Sequence, residues 1–334
     1  MLYLSRGETN RMATTVRPYI GVPRVETYLN WVWLILITLS VCSCASQNPA
    51  EQINKFAQAT TAVTGQTQNA YQAVQDEYRT AQIYRVVANY NTQGFNPSLL
   101  TPFLSSEQIQ VRIDVLKGLN AYAQGLASLA SDDQVTQFDN QTKALGQQLI
   151  SLDKQEPIKG SGVSDTDMKA FATAVDALGR MLIQYKREAA LKQVIHDHDG
   201  DVQTICRLFS SEIGGSAPAA GAPPPRGLRN QLWNEYTQAT TAYDLFIEHQ
   251  KTRMNPTDEF NAISQLATMI QQQAAGDAML VATSQALDQL ARTHSSLNQA
   301  FDTQNGGLNA MIAELQADAK NIADFYNSLN TSKK

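Results

Sequence analysis

The chain is poor in the residue types that build disulfide frameworks, zinc sites and nucleic-acid interfaces. Its 334 residues include three cysteines, 18 glycines and 11 prolines, and aromatic residues make up 7%. Three cysteines exclude a disulfide framework and a multi-cysteine zinc site. With 26 Lys and Arg against 31 Asp and Glu, the formal net charge is −5. The chain therefore lacks the basic excess that binds a nucleic-acid backbone, and we expect no nucleic-acid partner.

The sequence motifs of common enzyme classes are also missing. The chain has no Gly-x-Ser-x-Gly nucleophile turn, no phosphate-binding Gly-Lys-Ser/Thr loop, no His-Glu-x-x-His pair and no Gly-rich dinucleotide fingerprint. This predicts that the protein is not an enzyme and uses no cofactor.

The first 46 residues have the order of an export signal. Arginines precede an apolar run at residues 31–41, and small residues follow at 42–46. The run has about eleven residues, which as a helix would cover only about half of a hydrocarbon core roughly 30 Å thick. We therefore expect a cleaved leader rather than a permanent span. Translation starts at Met1 or Met12.

The end of this leader, Val41-Cys42-Ser43-Cys44, resembles the lipobox of bacterial lipoproteins. The resemblance implies a signal peptide over residues 1–43 that is removed before Cys44. It also implies that Cys44 carries a diacylglyceryl thioether and an acyl chain such as palmitate on its amino group. Residues 44–48 would then be the lipid-anchored tether. A secreted protein, or an N-terminally anchored one with a coincidental cysteine, is the alternative.

The residue after the modified cysteine bears on the destination. Ala45 in this position resembles the pattern of lipoproteins released to the outer membrane. The expected location is the outer membrane, with the body in the periplasm. The cell surface and the outer face of the inner membrane remain alternatives.

The rest of the chain predicts an all-α fold, an elongated antiparallel helical bundle with long coiled-coil-like helices. It is rich in Ala, Gln, Leu and Asn, and its apolar residues recur at spacings of three and four. We expect helical region 1 over residues 49–213 and helical region 2, packing on it, over residues 228–330. The Gly/Pro/Ala-rich stretch 214–227 between them predicts a linker.

Region 1 divides into four predicted helices. The first covers residues 49 to about 91 and is broken by Gly94 and Pro97, and the second opens at Ser105 or Ser106. The third is expected over residues 131–152, followed by a loop at 157–164. The fourth is expected as one helix over residues 164–213, with a phase slip in its apolar stripe.

Region 2 predicts one helix over residues 228 to about 253 and a very long one from Pro256. Two heptad positions of the long helix are mostly apolar, and their register continues past Gly306 and Gly307. This indicates a single helix of about 60 residues, or about 90 Å, with a kink at the glycine pair left open.

Two further patterns concern packing rather than chemistry. Residues 54–63 and 234–243 share the sequence Gln-Ala-Thr-Thr-Ala, for which coincidence and internal duplication both remain open. Four tyrosines follow an approximately helical spacing and are predicted to be core or seam residues: Tyr71, Tyr78, Tyr84 and Tyr90.

Potential metal ligands cluster only at residues 196–201, where the candidates are His196, His198, Asp199 and Asp201. Adjacent residues of a helix point apart, so no face of a helix collects three good ligands. The spacing also fails as a calcium loop. We predict a solvated polar segment and no metal site.

Two other reactive side chains have structural interpretations. Cys206 lies between Ile205 and Leu208 in a helical stretch, which predicts a buried thiol. His294 occupies a heptad position and is predicted to be packed in a seam.

Three classes of function remain. The first is a lipid-anchored envelope protein that binds or scaffolds, with the membrane and another envelope protein as partners and self-association possible in addition. The second is a periplasmic metal-binding or hydrolytic lipoprotein that uses residues 196–201. The third is a membrane-active helical pore or conduit component.

Overall fold

The structure, a computed structural model, describes residues 49–131, 145–150, 165–184, 191–215, 227–300 and 307–331. The predicted signal peptide, Cys44 and the tether lie outside these residues. So do the loop predicted at 157–164 and most of the predicted third helix and linker. Residues Asn48–Lys334 form one compact unit.

The described residues are helical almost throughout and contain no strand, which confirms the all-α class. A helical segment at 145–150 and a 3-10 turn at Pro97–Leu99 accompany seven longer helices. These are α1 (Pro49–Gln93), α2 (Ser106–Ser131), α3 (Asp165–Gln184), α4 (Leu191–Ile213), α5 (Gly227–Gln250), α6 (Pro256–Ala300) and α7 (Leu308–Thr331).

Several helix ends form as the sequence predicts. Gly94, at φ +64°, ends α1 by donating from its N–H to the carbonyl of Tyr90. Ser105 and Gln108 exchange side-chain to backbone hydrogen bonds of 3.1 and 2.9 Å, which is the capping box that opens α2. The side chain of Asn255 accepts from two N–H groups in the first turn of α6.

The single helix predicted over residues 164–213 is wrong. The structure has two helices there, α3 and α4, and they pack against each other. The apolar stripe changes phase between α3 and α4 because each of the two helices buries its own stripe.

The single helix of about 60 residues predicted from Pro256 is also wrong. Helix α6 ends at Ala300, and α7 packs back along it: Gln289 donates to Glu314, and Ser296 donates to the sulfur of Met311. The continuous heptad register has a simple cause. Both helices face the same core, and folding back at a glycine-containing segment buries the two apolar stripes together.

Helices α1 and α6 form the centre of the bundle, and each contacts α5, α7 and the other. Contacts between Phe56 and His294 at one end and between Tyr84 and Gln265 at the other show that α1 and α6 run antiparallel. Helix α5 is also antiparallel to α6, so α5 runs parallel to α1. As a result, α1 ends and α6 begins at the same end of the bundle as the end of α5.

The predicted tyrosine stripe is correct only along the covered part of α1. Tyr71 is buried, and Tyr78 and Tyr84 are packed at the edge of the core. Tyr90 is 58% exposed, so the prediction that it packs in the core or a seam is wrong. Helix α1 continues to Gln93, but too few helices pack around its last turns to bury Tyr90.

Candidate functional site

The predicted polar segment at residues 196–201 lies within α4, and its members separate. His196 is exposed, and Nδ1 of His198 lies 3.0 Å from Oδ2 of Asp201. Asp199 instead faces α6. Within the described ranges, no three His, Cys, Asp or Glu side chains converge as a possible metal-binding group.

Asp199 and His294, which are 95 residues apart in sequence, meet in a buried polar chain. Nδ1 of His294 lies 2.8 Å from Oδ1 of Asp199, and Nε2 lies 2.8 Å from the hydroxyl of Tyr122. Because a carboxylate only accepts, Nδ1 carries a proton and donates to Asp199, while Nε2 and the tyrosine hydroxyl share the second hydrogen bond. His294 is fully buried, as predicted, and joins α2, α4 and α6.

The surroundings shift the pKa values of the two acidic groups at the ends of this chain. Partial burial opposes ionisation of Asp199, but hydrogen bonds from His294, Ser295 and Gln203, together with the charge of His294, outweigh it and keep the pKa of this carboxyl below its usual range. Burial, together with the charge of Asp199, raises the pKa of the Tyr122 hydroxyl well above its ordinary value. Tyr122 is 2% exposed and His294 is fully buried, whereas the Asp199 side chain is 18% exposed.

Cys206 is buried, as predicted. Burial raises the pKa of its thiol, which therefore stays protonated and is a poor nucleophile.

A second buried network joins α1, α2 and α4 around Glu212. The guanidinium of Arg112 donates from Nε to both carboxylate oxygens, at 2.9 and 3.0 Å, and the hydroxyl of Tyr71 donates at 2.8 Å. Burial and the neighbouring carboxylate raise the pKa of Tyr71. Arg112 and Glu212 are 1% and 2% exposed, so the network is a structural tie. No sequence pattern indicated it, because its members lie on three helices.

Another arginine fixes the start of region 2. Arg229 is buried and donates to both carboxylate oxygens of Asp277, at 2.8 and 3.0 Å, and to the carbonyl of Gly215 at 2.9 Å. This bidentate pair holds α5 against α6, and the third bond holds α5 to Gly215, two residues after the end of α4.

A third polar group lies where the covered part of the bundle ends. Tyr236 on α5 donates to Glu77 on α1, and Nε of Arg85 lies 2.9 Å from Oε1 of Glu235. Burial raises the pKa of Glu235 against the opposing effect of Arg85. Of the described helices, α1, α5 and α6 continue beyond this layer.

We call this continuation the arm and define it as residues 83–95, 240–255 and 256–270. Only Ala262 and Met269 of the arm are buried. All eight large hydrophobic residues that are exposed in the described part of the chain lie in the arm: Ile83, Val87, Tyr90, Phe95, Leu245, Phe260, Ile263 and Ile270. The rest of the described bundle, which we call the body, exposes none.

A groove of about 610 Å³ runs between α1 and α5 and extends along the arm. Ala88, Ala242, Leu245 and Phe246 provide its apolar lining. Hydroxyl and amide side chains provide much of the rest, and Arg85 and His249 are its ionisable residues. An apolar groove with scattered hydrogen-bonding groups is suited to a helix or an extended segment of another protein.

None of the described helices has a stretch that is long and apolar enough to cross a bilayer.

Comparisons with known proteins give no family for the chain. No protein-family model matches it, and neither the curated proteins nor the solved structures contain a significant match.

Proposed function

We propose that the chain is a lipid-anchored protein of the cell envelope that acts by binding or scaffolding through its arm. The observation that carries this proposal is the location of the large exposed hydrophobic side chains, all of which, among the residues that the structure describes, belong to the arm. A large apolar side chain that is about half exposed leaves on the order of 100 Å² for contact with a partner.

The buried polar groups support a binding role over catalysis. Three of the described side chains that could act as a base, an acid or a nucleophile are each at most 2% exposed: His294, Cys206 and Tyr122. A general base or nucleophile must reach its substrate, and these groups are enclosed by helices.

The proposed tether of residues 44–48 directly precedes Pro49, the first residue of α1, and the helix ends at Gln93 in the arm. At about 1.5 Å per residue, α1 spans about 66 Å. The end of α1 in the arm is therefore about 66 Å from the residue that follows the proposed tether.

The anchor is tested by labelling cells with a radioactive fatty acid. We expect the protein to incorporate the label and Cys44→Ser to lose it and retain the leader. Cys42→Ser is the matched control and should keep both the label and the cleavage. A label that survives Cys44→Ser would refute the anchor.

The binding role is tested with a photoreactive amino acid at Leu245 in the groove. We expect a discrete envelope protein to crosslink there. The same amino acid at Gln316, an exposed position of α7 in the body, is the control and should give none. Equal crosslinking at both positions would contradict a binding role of the arm.

A further inference from the structure

Helix α6 has a second apolar stripe that faces away from the bundle. Residues 260, 263, 267, 270 and 274 alternate at spacings of three and four and are all exposed. They are Phe260, Ile263, Ala267, Ile270 and Ala274. Phe260 is 70% exposed, and the two isoleucines are each 53% exposed. This spacing is that of a coiled-coil seam, and it continues over two heptads.

The residues beside this stripe carry no charge. From residue 260 to residue 276, α6 contains no Asp, Glu, Lys or Arg, and its polar residues are Asn, Gln, Ser and Thr. Charges that flank a seam normally select its partner and repel an identical helix of like charge. The nearest charges on α6 are Glu259 and Asp277, at the two ends of the stripe, so residues 263–274 of two copies can meet without like charges between them.

The sizes of the stripe residues fit an antiparallel pair. When Ile270 of one helix lies opposite Ala267 of the other, the antiparallel register places Ile263 opposite Ala274. Each isoleucine then meets an alanine, and the twofold axis repeats every contact. A parallel pair would place isoleucine against isoleucine and alanine against alanine, which packs less evenly.

We propose that two copies of this chain associate through the outer stripe of α6, with the two helices antiparallel. The pairing covers Ile263 and Ile270 of both copies. It does not rest on the lipid anchor, because the residues that form it lie in one compact unit that begins at Asn48. It places the two Pro49 residues at opposite ends of the dimer.

Cysteine crosslinking in the full chain tests both the partner and the direction. Two differently tagged copies are co-expressed with Ala267→Cys and treated in cells with a short bismaleimide that spans about 8 Å. In the antiparallel register the two introduced thiols are offset by three residues, about 4.5 Å along the axis. We expect a crosslinked species that carries both tags.

Two matched positions control this experiment. In the antiparallel register the thiols of Ala274→Cys are offset by eleven residues, about 16 Å along the axis, and should not crosslink. Asn261→Cys is exposed on α6 outside the stripe and should not crosslink either. Equal crosslinking at 267 and 274 would overturn the antiparallel pairing. Absence of a species with both tags at 267 would overturn the proposal.

Sedimentation equilibrium of the purified protein gives an independent measurement. Ile263→Asp with Ile270→Asp introduces two charges into the paired stripe, and we expect the dimer dissociation constant to rise at least about tenfold. Both positions are exposed in the single chain, so an unchanged circular dichroism spectrum and melting temperature are expected. Asn261→Asp adds one charge outside the stripe and should remain dimeric. A dimer unaffected by the double change would refute the proposal, and so would a wild-type monomer at all concentrations.

Discussion

The two halves of α6 differ in their environment more than in their composition. Residues 276–300 lie in the body, contact α1, α2, α4, α5 and α7, and bury Leu280, Leu287 and Leu290. Residues 256–270 lie in the arm and expose Phe260 and Ile263. Both halves have regularly spaced apolar residues. The number of neighbouring helices, rather than local hydrophobicity, decides which apolar residues become core.

The largest predicted effect is the loss of the buried ion pair in the body. Arg112→Met leaves the carboxylate of Glu212 without its cation, which costs about 3–5 kcal/mol in a buried pair. Urea unfolding followed by circular dichroism measures this free energy. Arg79→Met changes an exposed arginine of α1 and should shift the free energy of unfolding by no more than about 0.5 kcal/mol.

A double variant separates the ion pair from packing. Arg112→Met combined with Glu212→Leu removes both charges, and we expect it to be more stable than Arg112→Met alone. If the double variant is as unstable as the sum of the two single changes, the charge is not the cause.

A pair of leucine truncations compares apolar packing in the two regions. Leu287→Ala in the body removes a fully buried side chain and should cost about 2–5 kcal/mol. Leu245→Ala in the arm removes a side chain that is 53% exposed and should cost less than about 1 kcal/mol in the monomer. Similar losses in urea unfolding would contradict the difference between body and arm.

Two glycines with positive φ give a smaller comparison. A Cβ at Gly227, φ +76°, would lie 2.4 Å from the carbonyl oxygen of Glu212, whereas a Cβ at Gly94, φ +64°, would meet nothing within 4 Å. Gly94→Ala should cost about 1 kcal/mol from backbone strain alone. Gly227→Ala should cost clearly more, because the obstructing atom belongs to the backbone.

Thermal unfolding of the two alanine variants measures this difference in melting temperature. Equal decreases would mean that the body accommodates the added methyl group without strain.

The smallest effect is a pH dependence in the body. The folded pKa of Asp199 is lowered, so its stabilising contribution is complete above the unfolded value of about 3.9 and is lost as the pH falls through the folded pKa. Asp199→Asn should therefore reduce the melting temperature most above about pH 4, and the difference from wild type should shrink at lower pH. A difference that does not change between pH 2 and pH 6 would contradict this role.

The sequence was sufficient for the helical class and for several helix ends, because those depend on local capping and on apolar spacing. Ser105 with Gln108, Gly94 and Asn255 act within a few residues of their own positions. Burial of Cys206 and His294 also follows from the pattern, since both occupy apolar faces.

The chain reversals and the polar networks could not be predicted in the same way. A heptad register is the same whether a helix continues or folds back, so α6 and α7 looked like one helix. Asp199 and His294 are 95 residues apart, and Arg112 and Glu212 are 100 apart, so only the fold brings them together. The outer stripe of α6 was missed because the inner heptad positions dominate the pattern.

Hydrogen exchange along α6, followed by mass spectrometry at two protein concentrations, tests the difference between body and arm most directly. In dilute monomer, we expect amides of residues 256–270 to exchange much faster than those of residues 276–300. At high concentration, exchange should slow in residues 256–270 and stay unchanged in residues 276–300. Equal rates in the two halves of the helix, or a concentration effect confined to the body half, would contradict the account.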